Sequence, residues 1–217
     1  METYAVTRRN SVLGRVFLGL SISLVFAFAG VFTGQYVPAG VIGLLMIVEF
    51  AMLIGAMFLQ RRRSIGMWFV YLFTFVSGVT LYPTLSYYAG VLGPGALLKA
   101  IGVSAIAFLV AAAVASRTSF DFSWLGGFLL IGLIAIVIMG LVSFFTGFST
   151  MFGLVYSLLG IAIFVGYVLY DVNRMAHFGL SENAVPWMVL SLYLDFINLL
   201  LFVLQLLGIL GGQSSRR

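Results

Sequence analysis

The stretch SLYLDFINLL, residues 191–200, places the aspartate Asp195 inside a run of leucines and aromatic residues. A charged side chain at the centre of a membrane helix costs about 2.5 to 3.5 kcal/mol on insertion, so such a residue is usually paired, protonated or turned towards a cavity. The surroundings of Asp195 therefore decide how this segment folds and what it does.

The composition indicates an integral membrane protein. Of the 217 residues, 63% are hydrophobic and 8% are charged, and the mean hydropathy is +1.19. Apolar segments of helix length recur along the chain and show no strand-like alternation, which predicts an all-α bundle rather than a barrel. The seven predicted spans are 12–34, 39–59, 65–88, 96–115, 123–146, 150–174 and 185–210. We expect one domain over residues 1–217, with a cytoplasmic tail at 1–11, a short tail at 211–217, and close helix approach at Gly30 and Gly34.

The basic residues indicate the orientation of the bundle. Eight of the 11 lie at the N-terminus or in even-numbered connections, namely Arg8, Arg9, Arg15, Arg61, Arg62, Arg63, Arg117 and Arg174. The opposite side has Lys99, Arg216 and Arg217. Because basic loops stay in the cytoplasm, the N-terminus is predicted to be cytoplasmic, and the net charge of +5 indicates orientation rather than a nucleic-acid partner.

Three acidic residues fall within predicted spans: Glu49 in the second, Asp171 near the end of the sixth and Asp195 in the first half of the seventh. The short connection between the last two spans lets them run antiparallel. At 1.5 Å per residue, Asp171 lies roughly 6 to 10 Å and Asp195 roughly 13 to 15 Å from the shared turn, so the two carboxyl groups are predicted to meet directly or through a water.

Helical spacing predicts which faces turn inward. The polar stripe of the seventh span comprises Ser191, Asp195, Asn198, Phe202 and Gln205. The corresponding face of the sixth span comprises Ser157, Gly160, Phe164, Tyr167, Asp171 and Arg174. Side chains at such spacings share one face of a helix, and hydrogen-bonding groups are unlikely to be stable against lipid. Ser191, Asn198, Gln205 and Glu49 are therefore candidate residues of an ion pathway.

Two carboxyl groups in a low-dielectric interior share one proton more readily than both ionise. The protonated pair would clasp two helices, and its deprotonated form would repel and offer oxygen ligands to a hard cation such as calcium. Simpler roles are open: Asp171 could bond Arg174, Asp195 could be a structural clamp, and Glu49 could be a protonated packing residue.

Three segments resemble the transmembrane Bax inhibitor-1 family in its bacterial branch: FVSGVTLYPTLSYYAG at 75–90, GYVLYDVNRM at 166–175 and SLYLDFINLLLFVLQLLG at 191–208. The resemblance implies a central last helix wrapped by the other six, and a pH-sensitive calcium leak across a bacterial plasma membrane. It implies that Asp171 and Asp195 are the pH-sensing pair and a transient calcium site. The family's arginine at the inner end of the second span is replaced by Gln60, so Arg61 or Arg63 would have to supply any latch.

Four functions follow from these observations. The first is a proton-gated calcium leak, with protons, calcium and membrane lipid as its partners, and the second is a calcium/proton exchanger. The third is a non-conducting protein that modulates a protease or stress response. The fourth is an intramembrane aspartyl protease, suggested by Tyr170-Asp171, although Tyr193-Leu194 stands where those enzymes have a glycine-x-glycine pattern. With one histidine, no cysteine and no GxxxxGK[ST] loop, we expect no cofactor and no enzymatic activity.

Overall fold

The computed structural model describes the backbone of residues 2–60, 65–147 and 149–214, and the side chains of residues 12–59, 65–143, 145–147 and 149–211. Over these ranges the chain is helical and contains no strand. The long helices are α1 (Glu2–Gly34), α2 (Ala39–Gln60), α3 (Met67–Leu92), α4 (Pro94–Arg117), α5 (Leu125–Thr146), α6 (Thr150–Phe178) and α7 (Val185–Ser214), with a short 3-10 turn at Glu182–Ala184. All seven are long and apolar enough to cross a membrane, which confirms the predicted fold class.

The helix ends differ from the predicted spans because hydropathy marks the membrane and not the end of the helix. α1 begins at Glu2, so residues 2–11 of the predicted tail are helical. α6 runs four residues past its predicted end and stops before Gly179, whose φ of 73° is the left-handed conformation that commonly terminates helices. α3 ends before Gly93, with φ of 84°, and Pro94 occupies the first turn of α4.

The chain divides into two compact units. The first contains the described residues of 1–87 and 178–193, and the second those of 88–177 and 194–217. The boundary cuts α3 and α7, so both helices supply residues to both units. The expectation of a single domain over 1–217 stays a prediction.

In the first unit, α1 and α3 pack with their backbones in contact. A Cβ atom added to Gly78 would collide with the main-chain carbonyl of Ala27, and one added to Gly30 with that of Phe75. On Gly34 it would lie 2.6 Å from the Cβ of Tyr82. Small residues allow this approach in membrane helices, and the predicted packing role of Gly30 and Gly34 is confirmed.

In the second unit, an aromatic cluster joins α6 to α7. The ring of Phe202 lies directly over Gly160, where any Cβ would overlap it. It stacks on Phe164 with centroids 5.8 Å apart and meets Tyr156 edge-on at 5.2 Å. The predicted inward faces of these two helices therefore meet.

α7 is buried on more than one face. Leu192, Tyr193, Leu199 and Leu204 all have 0% relative exposure, although they point in different directions around the helix. Other parts of the protein therefore cover α7 from more than one direction. The central position of α7 among the other six helices stays a prediction.

Candidate functional site

Asp171 and Asp195 both belong to the second unit, and both are buried. Asp171 lies on α6 with 6% relative exposure, and Asp195 lies on α7 with 5%. Their carboxyl groups interact electrostatically, and the hydroxyl of Tyr167 interacts with both. The structure therefore brings together the two aspartates that the depth count placed at similar heights.

One oxygen of this pair is left without a hydrogen bond. Within the described part of the chain, Oδ2 of Asp195 is buried and has no hydrogen-bond partner. An unsatisfied buried polar atom costs about 1 to 3 kcal/mol, and more when it is charged. A proton shared with a neighbouring carboxyl group, or a bound cation, would remove that cost.

The simpler role predicted for Asp171 is a bond to Arg174 on the same helix. Arg174 is exposed, and its guanidinium carbon lies 5.9 Å from the ring centroid of Tyr170, within cation–π range. Asp171 itself is interior. The face of α6 that carries both residues is thus buried as far as Asp171 and reaches the surface at Arg174.

The other polar residues of α7 are partly buried. The side-chain amide of Asn198 donates to the carbonyl of Leu194 at 2.8 Å, so it satisfies a donor within its own helix. Ser191 and Gln205 are half-buried. Their role in an ion pathway stays a prediction.

The predicted latch residues fall at the edge of what the structure describes. Gln60 is the last residue of α2, and its side chain lies outside the described side chains. Arg61 and Arg63 lie outside the described residues altogether. Their part in closure stays a prediction.

Glu49, in the first unit, accepts a hydrogen bond from a hydroxyl group that sequence reasoning missed. The hydroxyl of Thr80 donates to Oε2 of Glu49 at 2.5 Å and also lies 2.9 Å from the carbonyl of Ser77. The hydroxyl of Tyr193 donates to the main-chain carbonyl of Thr74 at 3.5 Å and interacts electrostatically with Glu49. The polar positions of α3, Thr74, Ser77 and Thr80, recur every third residue, and this spacing was the available signal.

A second residue that sequence reasoning missed is Asn173, at 1% relative exposure. Its amide nitrogen donates to the carbonyls of Ala115 at 3.2 Å and Phe120 at 2.9 Å, and its oxygen accepts from the N–H of Phe122 at 2.9 Å. Three side-chain hydrogen bonds thus attach α6 to the connection between α4 and α5. The available signal in the sequence was an amide side chain within a predicted membrane span, in the motif GYVLYDVNRM.

The same connection holds an ordered carboxylate outside the membrane spans. The hydroxyl and main-chain N–H of Ser123 donate to Oδ1 of Asp121, at 2.5 and 2.8 Å. These hydrogen bonds lower the pKa of Asp121 below its usual value, and the nearby His177 adds a smaller effect in the same direction. The connection between α4 and α5 is therefore held by side-chain hydrogen bonds of its own.

Arg15 and Glu182 show that two predicted cytoplasmic segments lie at one end of the first unit. Their side chains form an ion pair of 3.2 Å while remaining 54% and 61% exposed. An exposed pair of this kind contributes less than about 1 kcal/mol. The pair is informative about topology, because it places Arg15, near the start of the first apolar segment, beside the connection from α6 to α7.

Seven apolar helices, the last two of which carry buried and mutually interacting aspartates, define an integral membrane protein with ionisable groups in its interior. The family model described as "Inhibitor of apoptosis-promoting Bax1" matches residues 9–212. The chain belongs to the Bax inhibitor-1 family.

Relatives in bacteria and yeast share this similarity. An "Uncharacterized protein" of Helicobacter pylori is 32% identical over 78% of this chain and 72% of its own length. An "Uncharacterized membrane protein" of Vibrio cholerae is 30% identical over 94% of this chain and 92% of its own. "Bax inhibitor 1" of Schizosaccharomyces pombe is 32% identical over 68% of this chain and 53% of its own.

Proposed function

We propose that this protein is a pH-sensitive calcium leak channel of a bacterial plasma membrane, with its N-terminus in the cytoplasm, and that Asp171 and Asp195 form its gate. The observation that carries the proposal is the burial of two interacting carboxyl groups on consecutive helices, one of them with an unsatisfied oxygen. Ionisable groups inside membrane proteins mark ion paths and proton relays far more often than they serve packing.

The gate works through the charge of the pair. With one proton shared, the carboxyl groups attract each other and hold α6 against α7. When that proton is lost, the two like charges repel, and at a separation of about 4 Å and an effective dielectric constant of about 20 this repulsion would be about 4 kcal/mol. That energy is enough to change the population of an open state by several hundredfold. Flux is therefore expected to rise as the pH rises.

Loss of the proton also creates the cation site. Calcium takes six to eight oxygen ligands at about 2.3 to 2.6 Å, supplied by carboxylates, carbonyls and water. Among the described residues, no three histidine, cysteine or acidic side chains gather at one place. Calcium at Asp171 and Asp195 would therefore be held by two carboxylates and retain much of its water, as suits a permeating ion that has to leave again.

In this proposal, Glu49 is a further site at which the permeating cation binds. Its carboxyl group is half-buried beside the hydroxyl of Thr80. A carboxylate next to hydroxyl groups supplies the hard oxygen ligands that calcium prefers.

A calcium/proton exchanger uses the same residues and differs in coupling. An exchanger moves protons against calcium in fixed proportion, whereas a leak does not. Measuring the internal pH of liposomes during calcium entry separates the two, because only an exchanger moves protons out and raises the luminal pH in step with calcium entry.

The second candidate function is a non-conducting protein that regulates a stress or cell-death response through a partner. The family description, and the name of the Schizosaccharomyces pombe relative, favour it. A physiological phenotype that persists when both Asp171 and Asp195 are replaced by asparagine would support this role over conduction.

The test of the leak is calcium influx into dye-loaded liposomes that contain the purified protein, scanned from about pH 6 to about pH 8, the range in which the proposed gate is expected to lose its proton. Parent flux is expected to rise across this range. Asp171→Asn and Asp195→Asn should flatten the response, because an amide does not titrate.

Glu182→Gln is the matched control, since it neutralises an exposed carboxylate outside the pair. Its pH response should follow the parent. A pH response retained in full by both aspartate variants would exclude the pair as the sensor, and no flux above protein-free liposomes would exclude the leak.

A further inference from the structure

Asn173 satisfies main-chain groups that the secondary structure leaves unpaired. Ala115 lies in the last turn of α4, where carbonyl groups have no partner four residues ahead. Phe120 and Phe122 lie in the irregular connection before α5. The Asn173 amide uses both its donors and its acceptor on these three residues. A carboxylate could not donate to the carbonyls, and an apolar side chain would leave three polar groups unpaired.

Asn173 and Asp171 leave α6 in nearly opposite directions. Residues two positions apart on an α-helix, such as Asp171 and Asn173, are separated by about 200° around the axis and about 3 Å along it. Asp171 interacts with Asp195 on α7, whereas Asn173 bonds the connection between α4 and α5. The segment of α6 that carries the carboxyl group is therefore attached on both sides.

We propose that Asn173 is a positioning residue, which fixes the end of α6 to the connection between α4 and α5 and thereby sets the separation of the Asp171 and Asp195 carboxyl groups. The proposal rests on the proposed function for its consequence, although the attachment itself is a matter of geometry. Without the attachment, repulsion within the pair moves α6 away from α7, and each carboxyl group ionises more independently of the other.

The charged and titratable groups around this attachment are few among the described residues. On α6 they are Tyr167, Tyr170, Asp171, Arg174 and His177, and on α7 the group is Asp195. The connection and the end of α4 contribute Asp121 and Arg117. The ring nitrogen Nδ1 of His177 lies 3.1 Å from the carbonyl of Asn173, so His177 belongs to the same end of α6.

The test compares Asn173→Leu with the control Asn183→Leu, at an exposed asparagine. Asn173→Leu removes the three hydrogen bonds at nearly constant size and adds no charge. The first measurement is the infrared carboxylic-acid band of the full-length protein as a function of pH, assigned to the pair by its loss in Asp195→Asn. The midpoint is expected to move to lower pH by roughly one unit, a tenfold change in proton concentration, in Asn173→Leu alone. The midpoint of calcium flux should move with it.

The second measurement is the distance between spin labels at Ser119→Cys and Arg174→Cys, two exposed positions on the connection and on α6. The chain has no cysteine of its own, so these labels are unambiguous. Asn173→Leu should lengthen or broaden the distance. An unchanged distance overturns the attachment, and a changed distance with an unchanged infrared midpoint overturns the positioning role.

These readouts separate the inference from the proposed function. If the parent conducts no calcium, the leak fails while the infrared titration and the label distance still decide the role of Asn173. If Asn173→Leu does not fold, Asn173→Ser keeps one donor and one acceptor, and it should show a smaller midpoint shift of the same sign. No shift in the folded serine variant overturns the proposal.

Discussion

A carboxyl group in the interior of a membrane protein is costly unless it is paired or protonated, and Asp195 interacts electrostatically with the carboxyl group of Asp171. Both side chains are about 95% buried, so water supplies little of the stabilisation that an ion needs. The shared proton of the proposed gate follows from this shortage of solvent.

The environment of Glu49 differs from that of the two aspartates, since Glu49 is half-buried and accepts a hydrogen bond from a hydroxyl group. Glu49→Gln keeps an oxygen that can accept from Thr80 and removes the charge. We expect calcium flux in liposomes to fall several-fold with an unchanged pH midpoint, because in the proposed leak this carboxylate binds the ion and the Asp171–Asp195 pair is the gate. A shifted midpoint with unchanged maximal flux would reverse that assignment.

Thr80→Val separates the hydrogen bond from the charge. It removes the hydroxyl group, keeps the shape, and should lower the free energy of unfolding in detergent by about 1 kcal/mol. Thr33→Val is its control, since the exposed hydroxyl of Thr33 bonds only the carbonyl of Ala29 within its own helix. Equal stability of the two variants would show that the bond to Glu49 contributes nothing.

At the scale of elements, the tightest packing is between α1 and α3. The close approach at Ala27 and Gly78 leaves no space for a methyl group, and its neighbours are main-chain atoms that cannot rotate away. The two helices therefore meet through their backbones over this stretch.

Gly78→Ala should force these helices apart and lower the free energy of unfolding by about 1 to 3 kcal/mol. Gly90→Ala, on the same helix, has no atom within 4 Å of the added methyl group and should be neutral or stabilising by roughly 0.5 to 1 kcal/mol. Thermal unfolding in detergent measures both. Similar losses in the two variants would attribute the effect to the helix itself and not to the contact.

At the scale of the whole molecule, the direction in which the chain crosses the membrane decides which solution each connection meets. The basic residues predict a cytoplasmic N-terminus, and the ion pair between Arg15 and Glu182 places Arg15 of α1 at the same end of the first unit as the connection between α6 and α7. Alternating crossing by seven helices requires this arrangement.

Single cysteines test the orientation. Tyr36→Cys, in the exposed connection after α1, should react with a membrane-impermeant maleimide added to intact cells. Ser119→Cys, in the exposed connection after α4, should react only after the membrane is opened. The reverse pattern would invert the predicted topology, and equal reaction of both would contradict alternating crossing at these positions.

The sequence by itself determined the helical class, the number of spans and the inward faces of α6 and α7, because hydropathy and a period of 3.6 residues are local properties. The short connection and the constant rise per residue also led to the prediction that Asp171 and Asp195 lie at similar depth. The helix ends were less accurate, because residues 2–11 and 175–178 continue helices past the apolar segments.

Only the tertiary structure decided the surroundings of these residues. The bond between Thr80 and Glu49 spans 31 positions in the sequence, and those of Asn173 span 51 to 58. Partners so far apart are chosen by how helices pack and not by any local pattern, and the same holds for the contact of Phe202 with Gly160. The periodicity of apolar residues along the chain predicts which side of a helix is buried, whereas the atoms that cover that side depend on the packing of the whole fold.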